Sequence, residues 1–152
     1  MVKVTFQAYN PRRHGKLDRM GGHSGEIVAS YADLRKILGV PRTFKRGEGD
    51  GKVSTSWLVA GTDGSRWEVY DYKATNRYSE RYPGLRTFRS LPTYRWCIGF
   101  RSRAGHVGNF IEWLEAKLAE LHPPVVEPAQ PCRLTSTTVE DYPSSSDIFF
   151  FS

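Results

Sequence analysis

Cysteine is scarce in this sequence. Cys97 and Cys132 are the only two, one in a segment that reads as a strand and one in the C-terminal tail. A disulfide framework is therefore not expected, and a reducing compartment is the simpler setting. No apolar run approaches the ~20 residues that span a bilayer. The first residues, Met-Val-Lys-Val-Thr-Phe, read as a strand, without the charged and apolar regions of a secretory signal. The four histidines, His14, His23, His106 and His122, fit no zinc-ligand spacing, and the cysteines add none. Nucleophile-elbow, Walker and dinucleotide-binding patterns are missing as well. Glu68 and Asp71, three apart on a strand, point to opposite faces and form no acid pair. The expectation is a protein that is not an enzyme and uses no cofactor or metal.

What is present is a globular composition, 39% hydrophobic and 13% aromatic, in a 152-residue chain. That length suits one domain. The charge is unevenly placed. Residues 1–122 hold 21 of the 22 basic side chains and 12 of the 16 acids, so the body carries +9 and the tail −3. The reading is a single basic domain, 1–122, followed by a Pro/Ser/Thr-rich acidic tail, 123–152. A body of this sign suits polyanions or acidic protein surfaces, although many basic proteins bind neither.

Periodicity marks the framework. Val2, Val4 and Phe6 alternate with polar residues, as in a half-buried strand. Residues 10–25 read as a loop, and Ile27-Val28 as a short strand. Ser30 caps a helix carrying Tyr31, Leu34, Ile37 and Leu38 on one face, stopped by Gly39 and Pro41. Val53–Ala60 and Arg66–Lys73 flank the hairpin turn Thr62-Asp63-Gly64. Tyr94, Trp96, Ile98 and Phe100 alternate with Arg95, Cys97, Gly99 and Arg101. From about Gly105 to Leu121, with Ser102 as a candidate cap, Val107, Phe110, Ile111, Leu114, Leu118 and Leu121 form a helical stripe ended by Pro123-Pro124. The fold class read from this order is α+β. It has a single antiparallel sheet of three to five strands, two helices on one face and a disordered or extended tail. The outer face would carry Tyr70, Tyr72, Arg95 and Arg101.

Binding residues are expected in the long connection 73–92. It carries Lys73, Arg77, Arg81, Arg86 and Arg89 against one acid, Glu80, with Tyr78, Tyr82 and Phe88 interleaved. Guanidinium groups engage phosphates or carboxylates, and aromatic rings stack on bases or anchor protein contacts. The competing reading is an insertion whose aromatics pack back on the sheet. Arg12 and Arg13, in the basic N-terminal loop, are the second candidates for an anion-binding face. The tail ends Asp147-Ile148-Phe149-Phe150-Phe151. Three readings of it stay open: a short motif for a partner, a segment that docks on the body, and a dispensable extension.

Gly39-Val-Pro41, Trp57, Asp63-Gly64, Tyr70-Asp-Tyr-Lys73 and Trp96-Cys-Ile-Gly99 follow one another within residues 30–118. By these motifs the segment resembles a small domain recurrent in bacteriophages and large DNA viruses. The basic loop and the tail depart from that pattern. The resemblance implies a viral accessory protein, within the host cytoplasm or nucleus or in the virion, and transfers no functional residue. It leaves Asp71 and Lys73 as structural signatures of the sheet. The resulting expectation is a non-enzymatic protein that binds a host or viral macromolecule, most naturally a protein, as a host-defence inhibitor or a virion component. The alternative is a nucleic-acid-binding protein that uses the basic aromatic loop. No membrane partner is expected.

Overall fold

The computed structural model describes residues 3–15, 17, 22–101 and 106–124. Ten elements follow one another: β1 (Phe6–Ala8), α1 (Pro11–His14), β2 (Gly22–Ala29), α2 (Tyr31–Leu38), β3 (Arg42–Thr43), β4 (Thr55–Gly61), β5 (Arg66–Tyr70), α3 (Leu85–Arg89), β6 (Tyr94–Phe100) and α4 (Val107–Leu121). The class is α+β with an antiparallel sheet, as expected. The sheet has six strands, however, in the order β1-β4-β5-β6-β2 with β3 paired to β4. Four helical segments replace the expected two.

The added strand is β3, in the segment 42–52 that reads from the sequence as a charged loop, and β2 extends the short strand Ile27-Val28 back into 10–25. That stretch contains α1 and the first half of β2. Gly22-His-Ser-Gly-Glu26 has no apolar alternation, yet it pairs with β6 from Gly22↔Phe100 onward, with a bulge between His23 and Gly25. Strand geometry here comes from the ladder it joins and not from its own side chains. Gly25 sits at a close approach to α4. A Cβ there would lie 2.8 Å from the tip of the Ile111 side chain, which would have to shift to make room.

The inner face of the sheet is Ile27, Ala29, Trp57, Val59, Trp67, Val69, Trp96 and Ile98, all buried. Leu34 and Leu38 of α2 and Phe110 and Leu114 of α4 complete the core. Both helices therefore cover the same apolar face. Aromatic packing locks them in place. Phe110 stacks on Trp67 at 5.7 Å and meets Phe6 at 5.1 Å, while Tyr31 meets Trp57 at 5.7 Å. Each buried indole N–H finds an acceptor: Trp57 donates to the Gly39 carbonyl, Trp96 to the Ala29 carbonyl and Trp67 to Ser65 Oγ. Burying such rings contributes roughly 2–3 kcal/mol each, and leaving an N–H unmet would cancel much of that.

Ser30 caps α2 as read, its Oγ accepting from the Asp33 amide at 3.1 Å. Gly39 ends the helix at φ 85°, where a Cβ would be strained. Helix α4 starts after His106, and Ser102 lies outside the described residues.

His122, just past α4, reaches back to Asp33 at 2.7 Å and ties the end of one helix to the start of the other. Burial alone would raise the Asp33 pKa, but the hydrogen bonds involving His122 and Ser30 outweigh it and hold the carboxyl below its usual 3.8. The sign follows from the depressed folded value. The carboxylate contributes stability above the unfolded value and loses it as pH falls through the folded one. Thermal melts of the wild type and Asp33→Asn should differ at pH 6 and converge below the usual carboxylate range. A gap that persists at pH 2 would contradict this assignment.

Candidate binding surface

The chain leaves β5 through a clamp built on Asp71. Its carboxylate, fully buried, accepts from Ser54 N at 2.9 Å, Thr55 N at 2.6 Å and Ser54 Oγ at 2.7 Å. Burial pushes the Asp71 pKa up against the pull of these three donors. Two residues on, Lys73 takes a left-handed backbone, φ 53°, and its amide donates to the Lys52 carbonyl at 2.7 Å. The Tyr-Asp-Tyr-Lys motif therefore ends β5, keeps pairing with 52–55 and bends at Lys73. Tyr70 faces the outer side of the sheet, Asp71 is driven inward, and Tyr72 and Lys73 project.

Connection 73–92 is ordered by short-range backbone bonds. Tyr78 N donates to the Thr75 carbonyl, Tyr82 N to Ser79 and Asn76 N to Pro83. Helix α3 follows, which the reading of 73–92 as a plain loop did not include. Phe88 is 2% exposed and packs on Tyr94 and Trp96 with ring centroids at 4.8 and 5.5 Å. Arg89 lies over the Tyr31 ring at 4.6 Å and donates to Thr43 Oγ1 at 2.8 Å. Arg77 is half-buried, donates Nη2 to the Glu48 carbonyl and faces the Phe44 ring. Of the residues singled out in this connection, Phe88 is thus a core residue with no free face for a partner. Arg77 and Arg89 are drawn into the body.

The others form a surface. Tyr78 and Tyr82 are each 43% exposed and Tyr72 is 45% exposed. Lys73 Nζ sits 5.3 Å from the Tyr72 ring and 5.0 Å from the Tyr78 ring, and Tyr78 meets Tyr82 at 6.1 Å. Arg81 and Arg86 are exposed in the same connection. Lys73 was expected in this connection and Tyr72 on the outer sheet face, but nothing in the sequence joined the two to Tyr78 as one surface. The clamp that presents them has no local signature, because Asp71 and its partners at 54–55 are distant in sequence.

Arg12 and Arg13 do not join this surface. They sit on exposed α1, capped by Asn10 and tied by the His14 carbonyl to Arg66 Nη2 at 2.8 Å. Arg66 opens β5 and Tyr72 lies just beyond its end, a separation of roughly 20 Å along an extended strand. The tail motif, Asp147 to Phe151, lies outside the described residues.

The outer sheet face is a cleft of about 340 Å³ rather than an open plane, because Phe44, Asp50 and Val53 overhang Tyr70, Tyr72 and Gly99. At its base Arg101 Nε donates to Glu68 Oε2 at 2.7 Å. Arg95, on the same side, pairs with Glu26 at 3.1 Å. Burial raises the pKa values of Tyr70 and Cys97 above their usual values, so both are held in the neutral form.

No protein-family model and no curated protein matches this sequence. Among the described residues, no helix is long and apolar enough to cross a membrane.

Proposed function

We propose that this chain is a non-enzymatic binding protein that engages a protein partner through Tyr72, Lys73, Tyr78 and Tyr82, with Arg81 and Arg86 beside them. The observation that carries this reading is the tyrosine group itself. Two half-exposed rings, Tyr72 and Tyr78, bracket Lys73, and a third, Tyr82, adjoins Tyr78, on a segment anchored into the core by Phe88 and Arg89. Tyrosine supplies a large amphipathic contact at low entropic cost, and a rigid frame reduces that cost further. Interface hot spots are rich in tyrosine and arginine for the same reason. The resemblance to phage and large-virus domains supports a viral accessory role within the host cell or the particle. Inhibition of a host component is one use of such a surface.

Nucleic-acid binding is the second reading, favoured by the +9 body and the two exposed arginines. A capture from host lysate with and without nuclease identifies the ligand, and salt then separates the two readings. A protein partner held by tyrosines should lose affinity about tenfold or more with Tyr78→Ala/Tyr82→Ala, with only a small change between 50 and 200 mM salt. A nucleic acid should instead show a steep log–log salt slope that Arg81→Gln/Arg86→Gln makes shallower. Unchanged affinity in the tyrosine variant would defeat the first reading.

A further inference from the structure

Segments 44–54 and 75–85 enclose a second pocket, of about 270 Å³, that none of the surface tyrosines lines and that shares only Phe44 with the sheet cleft. Phe44 and Leu85 give it apolar walls. Arg46, Ser54, Thr75, Asn76 and Arg77 supply the polar lining, and no carboxylate is among these residues. Arg77 lines this pocket, while its neighbour Tyr78 stays half-exposed.

The guanidinium of Arg77 is only partly satisfied. Nη2 donates to the Glu48 carbonyl, but Nε and Nη1 are buried without a hydrogen-bond partner. Glu48 meets Arg77 through its carbonyl alone, and its carboxylate Oε2 accepts from the Lys45 amide at 2.7 Å. Buried donors of a cation that lack an acceptor are costly and uncommon in a folded protein. A group able to meet both nitrogens would be acceptor-rich, anionic and small enough to enter.

We infer that this pocket binds the oxyanion head, phosphate or carboxylate, of a compact organic molecule. Arg77 is the buried contact and Arg46 the exposed one. Asn76 lines the site as a further polar contact. The apolar walls and the volume favour a head group carried on a short apolar or aromatic stem over a bare ion, and the occluded position of Arg77 favours a small molecule over a polymer backbone. The inference does not rest on the macromolecular reading above.

The test uses the full chain with phenyl phosphate, benzoate, inorganic phosphate and acetate, against chloride at matched ionic strength. Thermal shift and calorimetry are the readouts. The expected result is a saturable shift in the wild type that chloride does not reproduce, stronger for the aromatic member of whichever pair binds. The phosphate and carboxylate arms then assign the head group. Arg77→Met should weaken binding tenfold or more and Arg46→Gln by a smaller factor. Tyr78→Ala/Tyr82→Ala should leave binding unchanged. In chloride alone, Arg77→Met should melt at or above the wild type, because it removes an unmet buried cation. The proposal is overturned if Arg77→Met melts well below the wild type or fails to fold, which would mark a structural arginine. It is overturned equally if the shifts are the same in the wild type, Arg77→Met and Arg46→Gln.

Discussion

Asp71→Ala lowers stability by about 3–5 kcal/mol, because three donors lose their acceptor in a buried site. For a body of this size the melting temperature should fall by roughly 10 °C or more. Asp71→Asn behaves differently. The amide oxygen can still accept from the Ser54 and Thr55 backbones, and the Ser54 hydroxyl can rotate to accept from the new amide. Its loss should therefore be much smaller. The pH dependence separates the two carboxyl states. Burial raises the folded pKa of Asp71. Its contribution is then complete below the unfolded value of 3.8 and is lost as pH rises through the folded one. The wild-type advantage over Asp71→Asn should shrink from pH 4 to pH 7. Denaturant unfolding of all three proteins at both pH values measures this. An alanine variant within 0.5 kcal/mol of the wild type would show that the clamp does not hold the β4–β5 edge.

Phe88→Ala is the second large effect. The ring is buried against Tyr94 and Trp96, so truncation should cost about 3–5 kcal/mol through lost burial and a cavity. It should also release α3, and with it the Arg89 contacts to Tyr31 and Thr43. Tyr82→Ala, six residues earlier in the same connection, should change stability by less than about 0.5 kcal/mol while weakening partner binding. Parallel unfolding curves and binding titrations report both. Equal stability losses in the two variants would mean that the division between anchor and recognition surface is wrong.

The two helices were legible because each carries its own evidence. Ser30, the Tyr31-Leu34-Ile37-Leu38 face and Gly39 define α2, and the apolar stripe through Phe110 and Leu114 defines α4. The alternation in 94–100 defines β6 and the face it buries. Trp113 escaped that stripe, yet it packs on Phe6 at 5.3 Å, a contact between segments more than a hundred residues apart. Strand β2 was legible only at Ile27-Val28, since its first half has no period and is strand only through β6. The candidate surface was half legible. Basic and aromatic residues in 73–92 announced a recognition segment, but nothing local separates Tyr82 from Phe88, or Arg81 from Arg77.

Local pattern alone settled the α+β class, the covered face of the sheet and the charge of the body. It could do so because hydrophobic periodicity and capping act over a few neighbouring residues. Which aromatics face water, where Arg77 and Arg89 go, and that Asp71 is a buried clamp were decided by contacts between segments far apart in the chain. Those contacts depend on distance and burial, which exist only once the sheet has closed around its helices.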